Sequence, residues 1–255
     1  GKHDPIALAT EKFTQWVIED DFPAGRPPWE QAGGVIMARN EEEVGLYEEM
    51  KLRMLNGSHS FLAYCGYLAN KEYIYECMQD DTLRRACYRF ICEEQLPGLR
   101  FYHDSKEIAP DLLGYAEELL KRYSNPNIHH RCYQIAMDGS LKIPQRWLDA
   151  YRVSRKKANH SSRFLSFALA AWLQYVRAQD LNGAPIVVQD PHASALRQLV
   201  TEAPAGQEAS ALLSFTPCFG DLATDPTLLR DVQQCYRSIQ EKGLIQALAD
   251  LLSIK

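Results

Sequence analysis

Lys51, Asn56 and His59, in the stretch Lys51-Leu52-Arg53-Met54-Leu55-Asn56-Gly57-Ser58-His59-Ser60, bring together an amine, an amide and an imidazole. These are the groups a carbonyl/alcohol redox site without a metal needs: one to give or take a proton, two neutral polar groups to hold the oxygen. On a regular helix, at about 100° per residue, Asn56 lies roughly 140° and His59 roughly 80° around from Lys51. All three can line one wall. The competing reading is a solvated helix face, with His59 in addition a core histidine, since Phe61, Leu62 and Tyr64 follow it closely.

A second polar set, Gln134, Asp138, Ser140, Lys142 and Arg146, could bind the hydroxyls or carboxylate of a polyol-like substrate. Asp138-Gly139-Ser140 also reads as a tight turn with an N-cap before a helix at Ile143. No metal is expected: there is no HExxH, and His129-His130 with Cys132 lacks partners at ligand spacing. A nicotinamide cofactor would need a glycine-rich turn between strand and helix, and the chain contains no GxG.

The elements that must position these residues read as helices. Asn40 followed by Glu41, Glu42 and Glu43 predicts an N-cap with acids in the first turn, opening a helix that runs to about Leu68 and is weakened at Gly57 and Gly66. Further helices are expected over 81–94, 109–123, 143–155, 161–177, 209–214 and 226–252. Turns are expected at Pro97-Gly98, Asn125-Pro126, Asn182-Gly183 and Asp190-Pro191. Ile186-Val187-Val188 could form one short strand or hairpin arm. Residues 1–40 are less regular: 13–19 could be extended, Asp4-Pro5 suits a helix start, and Phe22 to Trp29 is a Pro-rich loop whose Arg26 and Trp29 could meet a ligand or merely stiffen the surface. The fold class is therefore all-α, one mostly helical domain over 1–255 with a small irregular N-terminal segment.

With 255 residues, 46% of them hydrophobic, the chain can bury a substantial core. A formal net charge of -5 argues against nucleic acid and anionic membranes as partners, and the basic run from Arg152 to Lys157 reads as a solvated helix face. Seven scattered cysteines with no CxxC fit reduced thiols and a cytoplasmic location. The most apolar stretch, Phe164 to Val176, is too short to span a bilayer.

The motif Lys51-x4-Asn56-x2-His59 within Tyr47 to Ser60 resembles the signature of the long-chain mannitol dehydrogenase family, which includes mannitol 2-dehydrogenase, fructuronate reductase and tagaturonate reductase. Two further blocks agree, Phe13 to Asp20 with Gly25-Arg26-Pro27, and Gln134-Ile135-Ala136-Met137-Asp138-Gly139-Ser140 through Arg146. The resemblance implies a helical domain of the 6-phosphogluconate dehydrogenase C-terminal type. It implies Lys51 as acid/base, Asn56 and His59 as oxygen-holding groups, and Gln134 and Lys142 at substrate-contacting positions. NAD or NADP would be the cofactor, bound mainly by an N-terminal Rossmann domain that this chain does not contain, so the chain alone is expected to show no nicotinamide turnover. Mannitol-type members carry Arg where Gln134 stands, so fructuronate or a related keto-hexuronate is expected over fructose, with a mannitol/fructose or tagaturonate dehydrogenase the alternative within the family. A non-catalytic helical interaction or sugar-acid sensor domain is the alternative of another class, and the intact trio speaks against it.

Overall fold

The computed structural model describes residues 11, 13–99, 111–156 and 162–254. Strand β1 (Trp16–Glu19) pairs in parallel with β2 (Val35–Ala38), with Trp16 opposite Val35. The intervening loop is clasped by Arg26, which donates to Asp20 Oδ1 and Glu30 Oε2, both at 2.6 Å, while Trp29 packs on Trp16 and Phe22. The guanidinium is thus paired within the loop. The extended reading of 13–19 is met at β1, whereas β2 is not foreseen; Asp4-Pro5 lies outside the described residues.

From Asn40 onward the chain is helical. The Asn40 side chain accepts from Glu43 N at 2.9 Å, and α1 (Glu41–Met50) runs without a break through a π-helical segment, Lys51–Asn56, into α2 (Gly57–Leu68). A hairpin of α3 (Ile74–Gln79) and α4 (Asp81–Phe90) follows, α4 capped by Asp80 and prolonged by a second π segment, Ile91–Gln95. Next come α5 (Leu112–Tyr123), α6 (Cys132–Ala136) and α7 (Gly139–Ile143). A third π segment, Pro144–Leu148, leads into α8 (Asp149–Ser154). The rod expected over 143–155 therefore begins earlier, at Gly139.

Helix α9 (Arg163–Val176) is the axis of the core: every residue from Phe164 to Val176 is buried. Such all-round apolarity marks a helix enclosed by others, and α2 and α13 (Pro226–Lys242) pack on it. Its first turn is capped from outside, since the buried Glu94 carboxylate accepts from Phe164 N at 2.9 Å and Leu165 N at 2.8 Å. Helices α10 (Ala193–Glu202), α11 (Glu208–Leu213) and α12 (Thr216–Phe219) complete the far side. Arg152 and Arg155, expected to be solvated, pair with Asp221 and Asp225 and tie α8 to that side.

Two expectations are corrected. The helix foreseen over 226–252 is two, α13 and α14 (Leu244–Ser253), because Gly243 sits at φ 77°, a conformation that ends a helix. No strand extends over Ile186-Val187-Val188, and only the hairpin alternative is met: an antiparallel bridge between Gln179 and Pro185 is flanked by Ile186 N donating to Ala178 O at 2.9 Å and Asp180 N to Ala184 O at 2.8 Å, Ile186 buries its side chain, and Val187 stays exposed.

Candidate active site

The Lys51 to Asn56 segment is not the regular helix its spacing suggests. Gly57 N donates to Leu52 O, five residues back, and to Met54 O. A π turn holds roughly 4.4 residues instead of 3.6, so each step turns the chain by about 82°. Five such steps bring Asn56 to about 50° from Lys51, and three further α steps bring His59 to about 10°. The wall expected to span roughly 140° closes into a narrow strip.

Along that strip the three residues differ in setting. Lys51 is exposed, and Asn56 and His59 are partly buried. Among the described residues nothing engages the Asn56 amide; its backbone carbonyl accepts from Arg146 Nη1 at 3.4 Å. The His59 ring stacks on Tyr123 at 4.4 Å and meets the edge of His130 at 5.7 Å. Its Nε2 is buried with no hydrogen-bond partner among the described residues. Burial first, and then the electrostatic influence of neighbouring His130, Arg146 and Arg122, push the His59 pKa down to about 3. At neutral pH the ring is therefore an uncharged group with an unused nitrogen, suited to a hydroxyl or carbonyl oxygen.

Tyr123, at the end of α5, supports this strip from below: its hydroxyl donates to Leu55 O at 2.9 Å and shares a 2.8 Å hydrogen bond with Ser58 Oγ. Sequence reasoning missed it, because an aromatic at the end of a helix carries no sign of what it will reach. Arg53 was also missed. Fully buried, it donates to the Gln145 carbonyl and lies 3.4 Å from Glu49 and 3.6 Å from Asp149.

The second polar set divides. Arg146 comes to the trio directly, donating from Nη1 to Ser60 Oγ at 2.8 Å on the same helix as His59. Lys142 Nζ donates to Met137 O at 2.6 Å and lies 3.9 Å from Asp138; burial and the neighbouring Arg146 lower its pKa. Asp138 takes the left-handed conformation at φ 56°, and its carbonyl receives Leu141 N and Lys142 N, so the turn starts a helix at Gly139 rather than Ile143. Ser140 is nearly inaccessible, with N–H and hydroxyl both given to Asp190 at 2.8 and 2.6 Å, and so belongs to the frame behind the surface. Gln134 is exposed on α6, which packs on α2. Gly139 has no room for a side chain: a Cβ there would lie 2.7 Å from Trp172 Nε1.

Because His59 resists protonation when folded, acidification should cost stability. The unfolded ring binds its proton near pH 6.5 and the folded one near 3, so stability is full above about pH 6.5 and falls progressively between those values. The loss from this one group between pH 8 and 5 is about 2 kcal/mol. Urea titrations at both pH values should show a smaller acid-side loss in His59→Gln than in the parent; equal losses would refute the assignment.

A mostly helical chain that aligns an amine, an amide and a neutral imidazole, with arginine and lysine alongside, is of the class of helical dehydrogenase domains. Residues 43–240 match the family model of the mannitol dehydrogenase C-terminal domain, and the chain belongs to that family. It is 42% identical to the uncharacterised oxidoreductase YeiQ of Escherichia coli K12 over all of its length and half of YeiQ's. It is 39% identical to D-mannonate oxidoreductase of the same organism over 98% of this chain and 50% of that protein. The mannitol 2-dehydrogenase of Pseudomonas fluorescens, solved as a ternary complex with NAD and D-mannitol, superposes with a TM-score of 0.81 at 29% identity, over 94% of this chain and 47% of that one. The chain thus spans about half the length of the curated relatives it matches. Among the described residues no helix is long and apolar enough to cross a membrane.

Proposed function

We propose that this chain is the substrate-binding half of an NAD(P)-dependent dehydrogenase interconverting a secondary alcohol and a ketone on a sugar acid or polyol, with a keto-hexuronate such as fructuronate favoured. The observation that carries the reading is the unpartnered, neutral His59 Nε2 on the same narrow strip as Lys51 and the unengaged Asn56 amide.

In the oxidising direction Lys51, as the free amine, takes the hydroxyl proton. The Asn56 amide and a His59 ring N–H donate to the oxygen as negative charge grows on it, a role worth roughly 3 kcal/mol per well-placed donor. Bound nicotinamide supplies the hydride acceptor. Among the described residues no strand leads through a glycine-rich turn into a helix, so the dinucleotide would be held mainly by a second, Rossmann-type domain of the full-length protein. Lys51 is exposed here, and the desolvation a lysine base requires would come from closure of that domain over it.

The charge around the strip supports an anionic substrate. Arg146 neighbours the neutral His59, and its half-buried guanidinium, disfavoured by desolvation, gains by facing a carboxylate. Gln134, Asp138, Lys142 and Arg146 are assigned to substrate hydroxyls and carboxylate, Ser140 to holding Asp190 in place. Assayed side by side with NADH and NADPH, the full-length protein should reduce fructuronate with a higher kcat/KM than tagaturonate or fructose. Gln134→Arg should shift the ratio toward fructose by about tenfold, the scale of one lost or gained polar contact. A parent enzyme that prefers fructose would defeat the hexuronate assignment.

A further inference from the structure

The π turn that aligns the trio leaves a backbone acceptor behind. Because Gly57 N bonds Leu52 O and Met54 O, it passes over the Arg53 carbonyl that a regular helix would engage. A buried carbonyl without a donor is costly, so something must replace the missing N–H. The third π segment poses the same problem, since Asp149 N bonds Pro144 O and passes over Gln145 O.

Both acceptors are met by side chains. Gln95, fully buried at the end of the second π segment, points its amide at two carbonyl oxygens. Nε2 donates to Arg53 O at 3.2 Å and to Arg146 O at 3.0 Å, the orientation that two acceptors demand. The Arg53 guanidinium in turn donates to Gln145 O. Gly57 makes the approach possible: a Cβ there would stand 3.2 Å from the Gln95 amide and 3.1 Å from Arg146 O. The three π segments therefore meet at one buried amide that touches no catalytic group.

We infer that Gln95 is a positioning residue: its amide replaces the helical N–H lost at Arg53 and so holds the π turn that sets Lys51 in register with Asn56 and His59. The inference rests on the proposed role of that trio. Without the donor the helix regains its ordinary bond from Gly57 N to Arg53 O, and the part carrying Lys51 turns by about 90° relative to His59. The fold survives the change while the proton-transferring group leaves the strip.

The test uses the full-length protein with Gln95→Met, which keeps the side-chain length and removes the donor. A crystal structure should show Gly57 N bonded to Arg53 O. Kinetics should show kcat lowered about 30-fold or more with KM and NAD(P)H affinity, read by cofactor fluorescence, within threefold of the parent. Gly57→Ala, which crowds the same amide, should give the same split and serves if Gln95→Met does not fold. An intact π turn in the variant overturns the inference, as does a kcat within threefold of the parent or a loss confined to KM. Lys51→Ala run in parallel separates the two failures. If Lys51→Ala is inactive and Gln95→Met is not, the positioning role is wrong and the site stands. If Lys51→Ala is active, the acid/base reading falls and the crystal structure alone decides whether Gln95 holds the turn.

Discussion

Replacing Lys51 with alanine in the full-length protein should lower kcat about 10³-fold while leaving KM for the sugar acid within a few-fold, because a positioned acid/base contributes on the order of 10²–10⁴. Lys51 stands where α1 gives way to the π turn, exposed, on the same line as Asn56 and His59. Neither of these can replace it. An amide neither gains nor loses a proton to ionise near neutrality, and His59, with its pKa pushed down to about 3, binds a proton too weakly to act as the base at pH 7. Two signatures distinguish this from a general loss of structure. The rate of Lys51→Ala should become nearly independent of pH on the limb that reports the base, and small primary amines added to the assay should restore part of it. A variant that keeps a tenth or more of the parent kcat would show that the proton goes elsewhere.

Glu94→Leu should destabilise the fold by about 3–5 kcal/mol, the largest stability effect we expect from a single replacement outside the aromatic core. Two N–H groups of the first turn of α9 would lose their acceptor inside a packed interior, at roughly 1–3 kcal/mol each, and the positive end of the helix would lose its counter-charge. Ser162, the residue before α9, offers no side-chain cap to compensate. Glu94→Gln keeps an acceptor and should cost about half as much. Urea midpoints at constant m-value would decide the matter; a Glu94→Leu midpoint equal to the parent's would mean that the contact is dispensable.

What could be read from the sequence follows the range of the forces involved. Asn40 with its three glutamates announces the start of α1 because an N-cap is satisfied within one turn. The apolar run from Phe164 to Val176 announces a buried helix for the same local reason. The Gly243 break is legible too, as a glycine following Lys242 at the end of a helical pattern. The valines near Ile186 mislead because β-branching favours a strand only where a neighbouring strand exists. Residue type and spacing single out the trio and Arg146 as candidates, but not their angular placement. A π turn depends on acceptors being met from far along the chain: Gln95 reaches back to Arg53, and Arg53 reaches forward 92 residues to Gln145. No periodicity over 51–59 contains that information.

The Lys51–Asn56 turn can also be regarded as an insertion that the helix has absorbed. A π turn is what an α-helix becomes when one extra residue is taken up without displacing either flank. Removing one residue should then be nearly silent in geometry: in a regular helix with Leu52 deleted, Asn56 would lie about 40° and His59 about 20° from Lys51, close to the strip seen now. Such a chain would give the Arg53 carbonyl an ordinary helical donor and leave the Gln95 amide without that task. A shortened chain of this kind offers a route to a strip of the same shape that no longer depends on a glutamine more than forty residues away.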